Sequence, residues 1–166
     1  MTNLTFMMGE FAAEIPTDRR YAKNHMWAQR VDGDEGHWRF GFSAYAVRLL
    51  QDVYFLEWHV DAPSLLKSRQ TIGAIESSKA ESDLFAPVAG ELTEFNNQLL
   101  NDPSAINVDK YEAGWLFAMR VAAEAAECDN PGDEPPDGNL LTADQYIDHL
   151  QAAWKLAERT IKGQIK

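Results

Sequence analysis

Ile75-Glu76-Ser77-Ser78-Lys79-Ala80-Glu81-Ser82-Asp83-Leu84-Phe85-Ala86-Pro87-Val88-Ala89-Gly90-Glu91 runs from one β-type segment through a small polar turn into another. Lys79 sits at the turn. Ser77, Ser78 and Ala80 are small and leave its side chain unobstructed. Glu76, Glu81 and Asp83 flank it from the two strands. A lysine on a hairpin tip is reachable by another enzyme and free to swing. Acylation there would remove its charge and lengthen it into an arm. Taken alone, an exposed lysine between acids is an ordinary solvated turn, because loop tips are commonly polar.

The surrounding chain fits a β architecture. Short apolar runs rich in Val, Ile, Phe, Tyr and Trp predict strands at His25–Val31, His37–Phe42, Val53–Val60, Gln70–Ser77, Leu84–Ala86, Glu91–Phe95 and Trp115–Val121. Turn residues between them indicate a sandwich or barrel. Ser43 is placed to cap a helix over Ala44–Leu50, and Asn96 to cap a turn through Leu100. Gly90, following Pro87, is expected in a turn that needs positive φ, and Gly114 beside Trp115 where backbones approach closely.

Outside this block the character changes. Residues 1–19 lack strong periodicity and read as a loose arm. Residues 122–139 are Ala-, Pro-, Gly- and acid-rich and read as a solvated linker. Residues 140–166 hold a helix. Thr142 and Gln145 form a capping box, and Tyr146, Leu150, Trp154, Ala157 and Ile161 make one apolar stripe. Gly163 is expected to end it after Lys155, Arg159 and Lys162.

The 166 residues suffice for one domain with its own core. Fifteen Lys and Arg against 26 Asp and Glu give a net charge of −11. That sign repels phosphate, which disfavours nucleic acid and anionic membranes and favours basic patches of other proteins. The single cysteine, Cys128, cannot form an intrachain disulfide and has no charged base near it in sequence. A reducing compartment is expected, such as a bacterial cytoplasm or a mitochondrial matrix, and the bacterial cytoplasm is the localisation adopted. No apolar run nears the ~20 residues of a bilayer span, and the opening residues do not have the charge pattern of a signal peptide. His25, His37, His59 and His149 show no metal-ligand spacing on one helix. Trp27, Trp38, Trp58, Trp115 and Trp154 read as core or interface, and His25 as a structural hydrogen-bonding residue. Neither a Ser-His-Asp order nor a phosphate loop is present.

The segment Glu76–Glu91 resembles the lipoyl-attachment signature of the glycine cleavage system H-protein family. Three more stretches agree in order. Arg20-Tyr21-Ala22-Lys23-Asn24-His25-Met26-Trp27 is similar to the family's Tyr-x-x-x-His-Glu-Trp. Phe40-Gly41-Phe42-Ser43-Ala44-Tyr45-Ala46 with Leu50-Gln51-Asp52-Val53 is similar to its Gly-Ile-Thr-x-x-Ala and Leu-Gly-Asp-Val. Asn101-Asp102-Pro103-Ser104-Ala105-Ile106-Asn107 with Tyr111-Glu112-Ala113-Gly114-Trp115-Leu116 is similar to its Pro-x-x-(Leu/Ile)-Asn and Gly-Trp-Leu. Leu141-Thr142-Ala143-Asp144-Gln145-Tyr146 echoes its closing helix. Biotin carriers set their lysine between methionines, and Ser78 and Ala80 are not methionines. Lipoyl domains of 2-oxo acid dehydrogenases place Asp directly before the lysine.

The resemblance implies a mainly β lipoyl/biotinyl-type hammerhead, a flattened half-barrel of two antiparallel sheets with short helices and a C-terminal helix. The carrier domain is then 20–121. It implies lipoic acid in amide linkage on Lys79, with Glu76, Asp83 and Glu81 recognised by the lipoylating enzyme. It further implies a non-catalytic carrier that takes an aminomethyl group from glycine decarboxylase to the aminomethyltransferase and presents its dithiol to dihydrolipoamide dehydrogenase. A mostly apolar groove would shelter the loaded arm. The chain departs from the pattern at Met26, where the family has an acid, and at Gln51, where it has glycine. Its turn Glu57–Pro63 keeps neither the family's Leu-Pro nor its glycine, and Ser77-Ser78 precedes the lysine. A divergent paralogue serving another lipoyl-dependent pathway, such as sulfur oxidation or a lipoyl relay, fits these changes. So does a non-lipoylated interaction protein that kept the fold.

Overall fold

A computed structural model describes residues 3–121 and 140–165. The expected linker and Cys128 lie outside the described residues. Among the described residues eleven strands form three antiparallel sheets. The six-stranded sheet holds, in order across it, β3 (Arg20–Tyr21), β4 (Met26–Val31), β5 (Asp34–Phe42), β11 (Phe117–Arg120), β10 (Gly90–Phe95) and β7 (Ser64–Leu66). The three-stranded sheet β6-β8-β9 contains β6 (Val53–Trp58), β8 (Thr71–Ser77) and β9 (Glu81–Phe85). These two sheets, with a C-terminal helix, are the expected flattened antiparallel architecture.

Period-2 patterning explains how they close on each other. Ala28, Trp38, Phe40, Leu56, Ile75, Leu84, Leu92, Phe117 and Met119 fall at every second position along their strands, point to one side and fill one shared core. Phe40 and Phe117 stack across β5 and β11 at 5.5 Å between centroids.

Residues 1–19 were expected as a loose arm, and the structure corrects this. β1 (Asn3–Met8) and β2 (Phe11–Pro16) pair as a hairpin with Met8 opposite Phe11. The two-residue loop starts at Gly9, whose φ of 65° suits such turns. Phe6, Met8, Ala13 and Ile15 point inward and join a second core with Trp27, Tyr45, Tyr146 and Leu150. This core lies between the hairpin, helix α1 (Ala44–Leu50) and the C-terminal helix α4 (Ala143–Ile165). Two four-residue helices, α2 (Gln98–Asn101) and α3 (Ala105–Val108), lie between β10 and β11.

The predicted capping box is present. The Thr142 amide donates to Gln145 Oε1 at 2.9 Å, and the Gln145 amide donates to Thr142 Oγ1 at 3.2 Å. Tyr146 and Leu150 are fully buried, and Tyr146 stacks on Tyr21 at 4.6 Å. The helix continues past Gly163 to Ile165, so that glycine does not end it. Ser43 caps α1 as expected, accepting from the Ala46 amide at 3.4 Å. Asn96 does not cap α2. Its side-chain amide donates instead to the carbonyls of Ala113 and Trp115, at 3.0 and 2.8 Å. The strand expected at Leu84–Ala86 begins earlier, at Glu81, because the lysine turn is shorter than its polar composition suggested.

Gly90 is also corrected. It stands at the start of β10 without positive φ, and an added Cβ would lie 2.3 Å from the Arg120 carbonyl oxygen. Glycine is needed there for close approach of β10 to β11, the role foreseen for Gly114. Gly90→Ala should destabilise the fold by about 2 kcal/mol, the scale of an overpacked core. Urea unfolding monitored by tryptophan fluorescence measures this.

Candidate functional site

The site begins with a short bend. β8 and β9 pair through Glu76 opposite Glu81, and the Ser77 amide donates to the Ala80 carbonyl at 2.9 Å. Ser78 and Lys79 alone form the loop. Ser77 is buried and closes the bend from beneath. Its Oγ donates to the Ala80 carbonyl at 3.1 Å and accepts from the Ala80 amide at 3.2 Å. Lys79 is exposed at the tip.

The bend is also braced from outside the hairpin. The Ser78 amide donates to the Asp52 carbonyl at 2.9 Å, and the Asp52 amide donates to Ser78 Oγ at 3.1 Å. Asn107 holds the backbone on either side of Asp52. Its Oδ1 accepts from the Val53 amide at 2.9 Å, and its Nδ2 donates to the Gln51 carbonyl at 2.5 Å. One amide side chain thus satisfies a donor and an acceptor that α1 and β6 would leave open. Gln51 itself takes φ 62° and ψ −135°. A side chain there costs about 1 kcal/mol relative to glycine.

Glu76 is half-buried, while Glu81 and Asp83 are exposed. Register places them more tightly than sequence order suggested. Glu76 faces Glu81, and Asp83 faces Ala74, so all three acids share one face of the hairpin. They line a shallow hollow of about 330 Å³. Like charges directly opposite are unfavourable within a sheet.

A groove of about 300 Å³ runs along β9 between the loop before β4 and α1. Met26, Phe42, Ala46, Leu49, Leu50, Leu84 and Phe85 give it apolar walls, while Asn24, His25, Ser82 and Asp83 contribute polar groups. The Ile75–Ser82 pair in this lining is two residues from the Ser77–Ala80 pair, about 7 Å along the strands. Met26 stands in the wall, so Asp83 is the acid lining this groove.

The wall is fixed by two residues of α4, Tyr146 from its apolar stripe and His149 beside it. Tyr146 Oη lies 2.9 Å from His25 Nδ1 and 2.8 Å from Ser43 Oγ. Ser43 Oγ already accepts from Ala46. The order that satisfies every hydrogen runs from Ser43 O–H to Tyr146, then from Tyr146 O–H to neutral His25. His149 Nε2 donates to the Lys23 carbonyl at 3.1 Å. Burial, with His149 nearby, pushes the His25 imidazole down to about 4. Among the described residues no group of three or more His, Cys, Asp or Glu side chains gathers as a metal site.

A model of the family described as glycine cleavage H-protein matches residues 19–152. The chain belongs to the glycine cleavage H-protein family. It is 41% identical over 139 residues to the glycine cleavage system H protein of Rubrobacter xylanophilus, covering 84% of this chain and 97% of that one. To the glycine cleavage system H protein of Streptomyces coelicolor it is 37% identical over 131 residues, covering 79% of this chain and 93% of that one. The crystal structure of a glycine cleavage system H protein from Mycobacterium marinum superposes with a TM-score of 0.66 at 31% identity. That match covers 82% of this chain and 99% of that one. The β1–β2 hairpin precedes the segment matched to the H-protein family.

Two outcomes follow. Asn107→Ala should cost about 2 kcal/mol, since it leaves the Val53 amide and the Gln51 carbonyl without their partner; chemical denaturation checks this. His25 makes stability pH-dependent. The unfolded chain protonates it below ~6.5, whereas the folded chain resists until about 4. Its contribution is complete above pH 6.5 and is lost as pH falls towards 4, by about 2–3 kcal/mol at most. Asn tolerates the positive φ of 72° at this position. His25→Asn should therefore flatten that part of the profile, seen by comparing denaturation midpoints at pH 7.5 and 4.5.

Proposed function

We propose that Lys79 carries lipoic acid in amide linkage and that the chain is the carrier of a glycine cleavage system. The observation behind this reading is the isolated exposed lysine on a two-residue bend braced through Asp52 and Asn107. The group fits the residues present. Lys79 leaves its amine accessible, and the adjoining groove offers aliphatic and aromatic walls to an aliphatic chain. Bound there, lipoic acid would supply a disulfide–dithiol couple able to carry a one-carbon amine fragment.

The protein's own contribution is presentation, shelter and recognition. Ser77, Ser78 and Asp52 fix where the lysine leaves the surface. Met26, Phe42, Leu49, Leu50 and Leu84 give the groove an apolar lining that would shelter the arm. His25 is kept neutral in its wall by burial and is oriented there by its hydrogen bond with Tyr146. Glu76, Asp83 and Glu81 form the face that a lipoylating enzyme reads through basic residues. Glycine decarboxylase, the aminomethyltransferase and dihydrolipoamide dehydrogenase are the enzymes the carrier serves in turn, in a bacterial cytoplasm. It performs no catalysis itself.

Met26 favours a second reading. Methionine cannot pair with a cationic amine, which leaves Asp83 as the acid lining the groove. A carrier for a different lipoyl-dependent pathway would need no such pair. Intact mass after co-expression with a lipoylating enzyme tests modification. The wild type should gain one lipoyl group and Lys79→Arg none, with unchanged circular dichroism. A wild-type mass equal to the bare chain, while a control carrier is modified, overturns the reading in favour of an interaction protein. Glycine–bicarbonate exchange with glycine decarboxylase then separates the pathways, and support of exchange is the expected result.

A further inference from the structure

The outer face of the three-stranded sheet is a candidate docking surface. In β6, Val53 and Leu56 are buried at 6% exposure, whereas Tyr54 is 60% and Phe55 is 44% exposed. The β6–β8 register shifts between Val53 and Phe55, so Tyr54 has no partner residue on β8. Phe55 stands directly opposite Glu76, which stands opposite Glu81. Residues directly opposite on neighbouring strands share a face. Phe55, Glu76 and Glu81 therefore form one row across the sheet, next to the lysine bend. In the next row Glu57 lies opposite Ala74 and Ala74 opposite Asp83. Ala74 leaves the middle of the sheet low.

The surface therefore joins an exposed aromatic residue to a bank of carboxylates beside Lys79. The charge pattern specifies the partner. Acylating Lys79 removes the positive charge at the bend, leaving Glu57, Glu76, Glu81 and Asp83 on the face. Exposed aromatics are the residue type most often used as interface anchors. Carboxylates around them would steer and orient an oppositely charged surface.

We propose that this face, anchored by Phe55 with Tyr54 at its margin, docks the aminomethyltransferase. The docking patch on that enzyme is an apolar recess bordered by Arg and Lys. The inference rests on the carrier reading for the identity of the partner, but the docking itself does not depend on the arm.

The test uses the full-length Lys79→Arg chain, which cannot be modified at that site, titrated into the aminomethyltransferase by calorimetry. Binding should be measurable and should weaken at least tenfold between 50 and 500 mM salt, values of order set by charge screening. Adding Phe55→Ser with Tyr54→Ser should weaken it about tenfold or more at low salt, with an unchanged circular dichroism spectrum. Phe55→Tyr should restore affinity to within about threefold of the parent. An unchanged dissociation constant in the double serine variant overturns the proposal. So does detectable binding by the lipoylated chain alone, because attachment would then reside in the arm. Failure of the wild type to become lipoylated is a separate result that overturns the carrier reading.

Discussion

Ser78 is tied by two hydrogen bonds to Asp52, and Asn107 holds the backbone on both sides of Asp52. These contacts join the lysine bend to the end of α1, the start of β6 and the helical segment α3. A two-residue hairpin loop alone would direct its tip loosely, since an isolated hairpin is marginally stable in water. Here the bend is held at three places, while the Lys79 side chain is exposed. Backbone order and side-chain freedom are thereby combined at one residue. A tethered group needs both, because a fixed origin raises its effective concentration near a partner's site.

The second core gives the groove its remaining wall. The β1–β2 hairpin and α4 pack around Tyr45 and Trp27, and Tyr111 Oη donates to the Glu14 carbonyl at 2.6 Å and accepts from the Ala44 amide at 2.9 Å. Tyr146 extends this core to Ser43 and His25. The N-cap of α1 and the loop before β4 are therefore tied to the C-terminal helix. The groove-lining residues Ala46, Leu49 and Leu50 belong to that same α1.

Much of this was legible in the chain. Apolar runs placed seven strands close to where they occur, because β-branched and aromatic residues suit a pleated, part-buried surface. The capping residues Ser43 and Thr142 were readable because their bonds are local. What was missed depends on distant partners. β3 and β7 are only two and three residues long and exist through pairing with β4 and β10. Asn96 looked like a helix cap, but carbonyls brought near by the fold took its donors. The hairpin at 3–16 did leave a local signal, Gly9-Glu10 between alternating apolar residues. The acid triplet was visible, whereas its confinement to one face required the register. Met26 was noted as a departure, but only its position in the groove wall gives that departure chemical meaning.

Amide hydrogen exchange across Asp52, Val53, Ser77 and Ser78 tests the brace most directly. If the bend is held as described, these amides are protected to a degree comparable with Ile75 in the middle of β8, and protection at Ser78 collapses in Asn107→Ala. Exchange of Val53 and Ser78 at the rate of an unstructured peptide in the wild type would contradict the account.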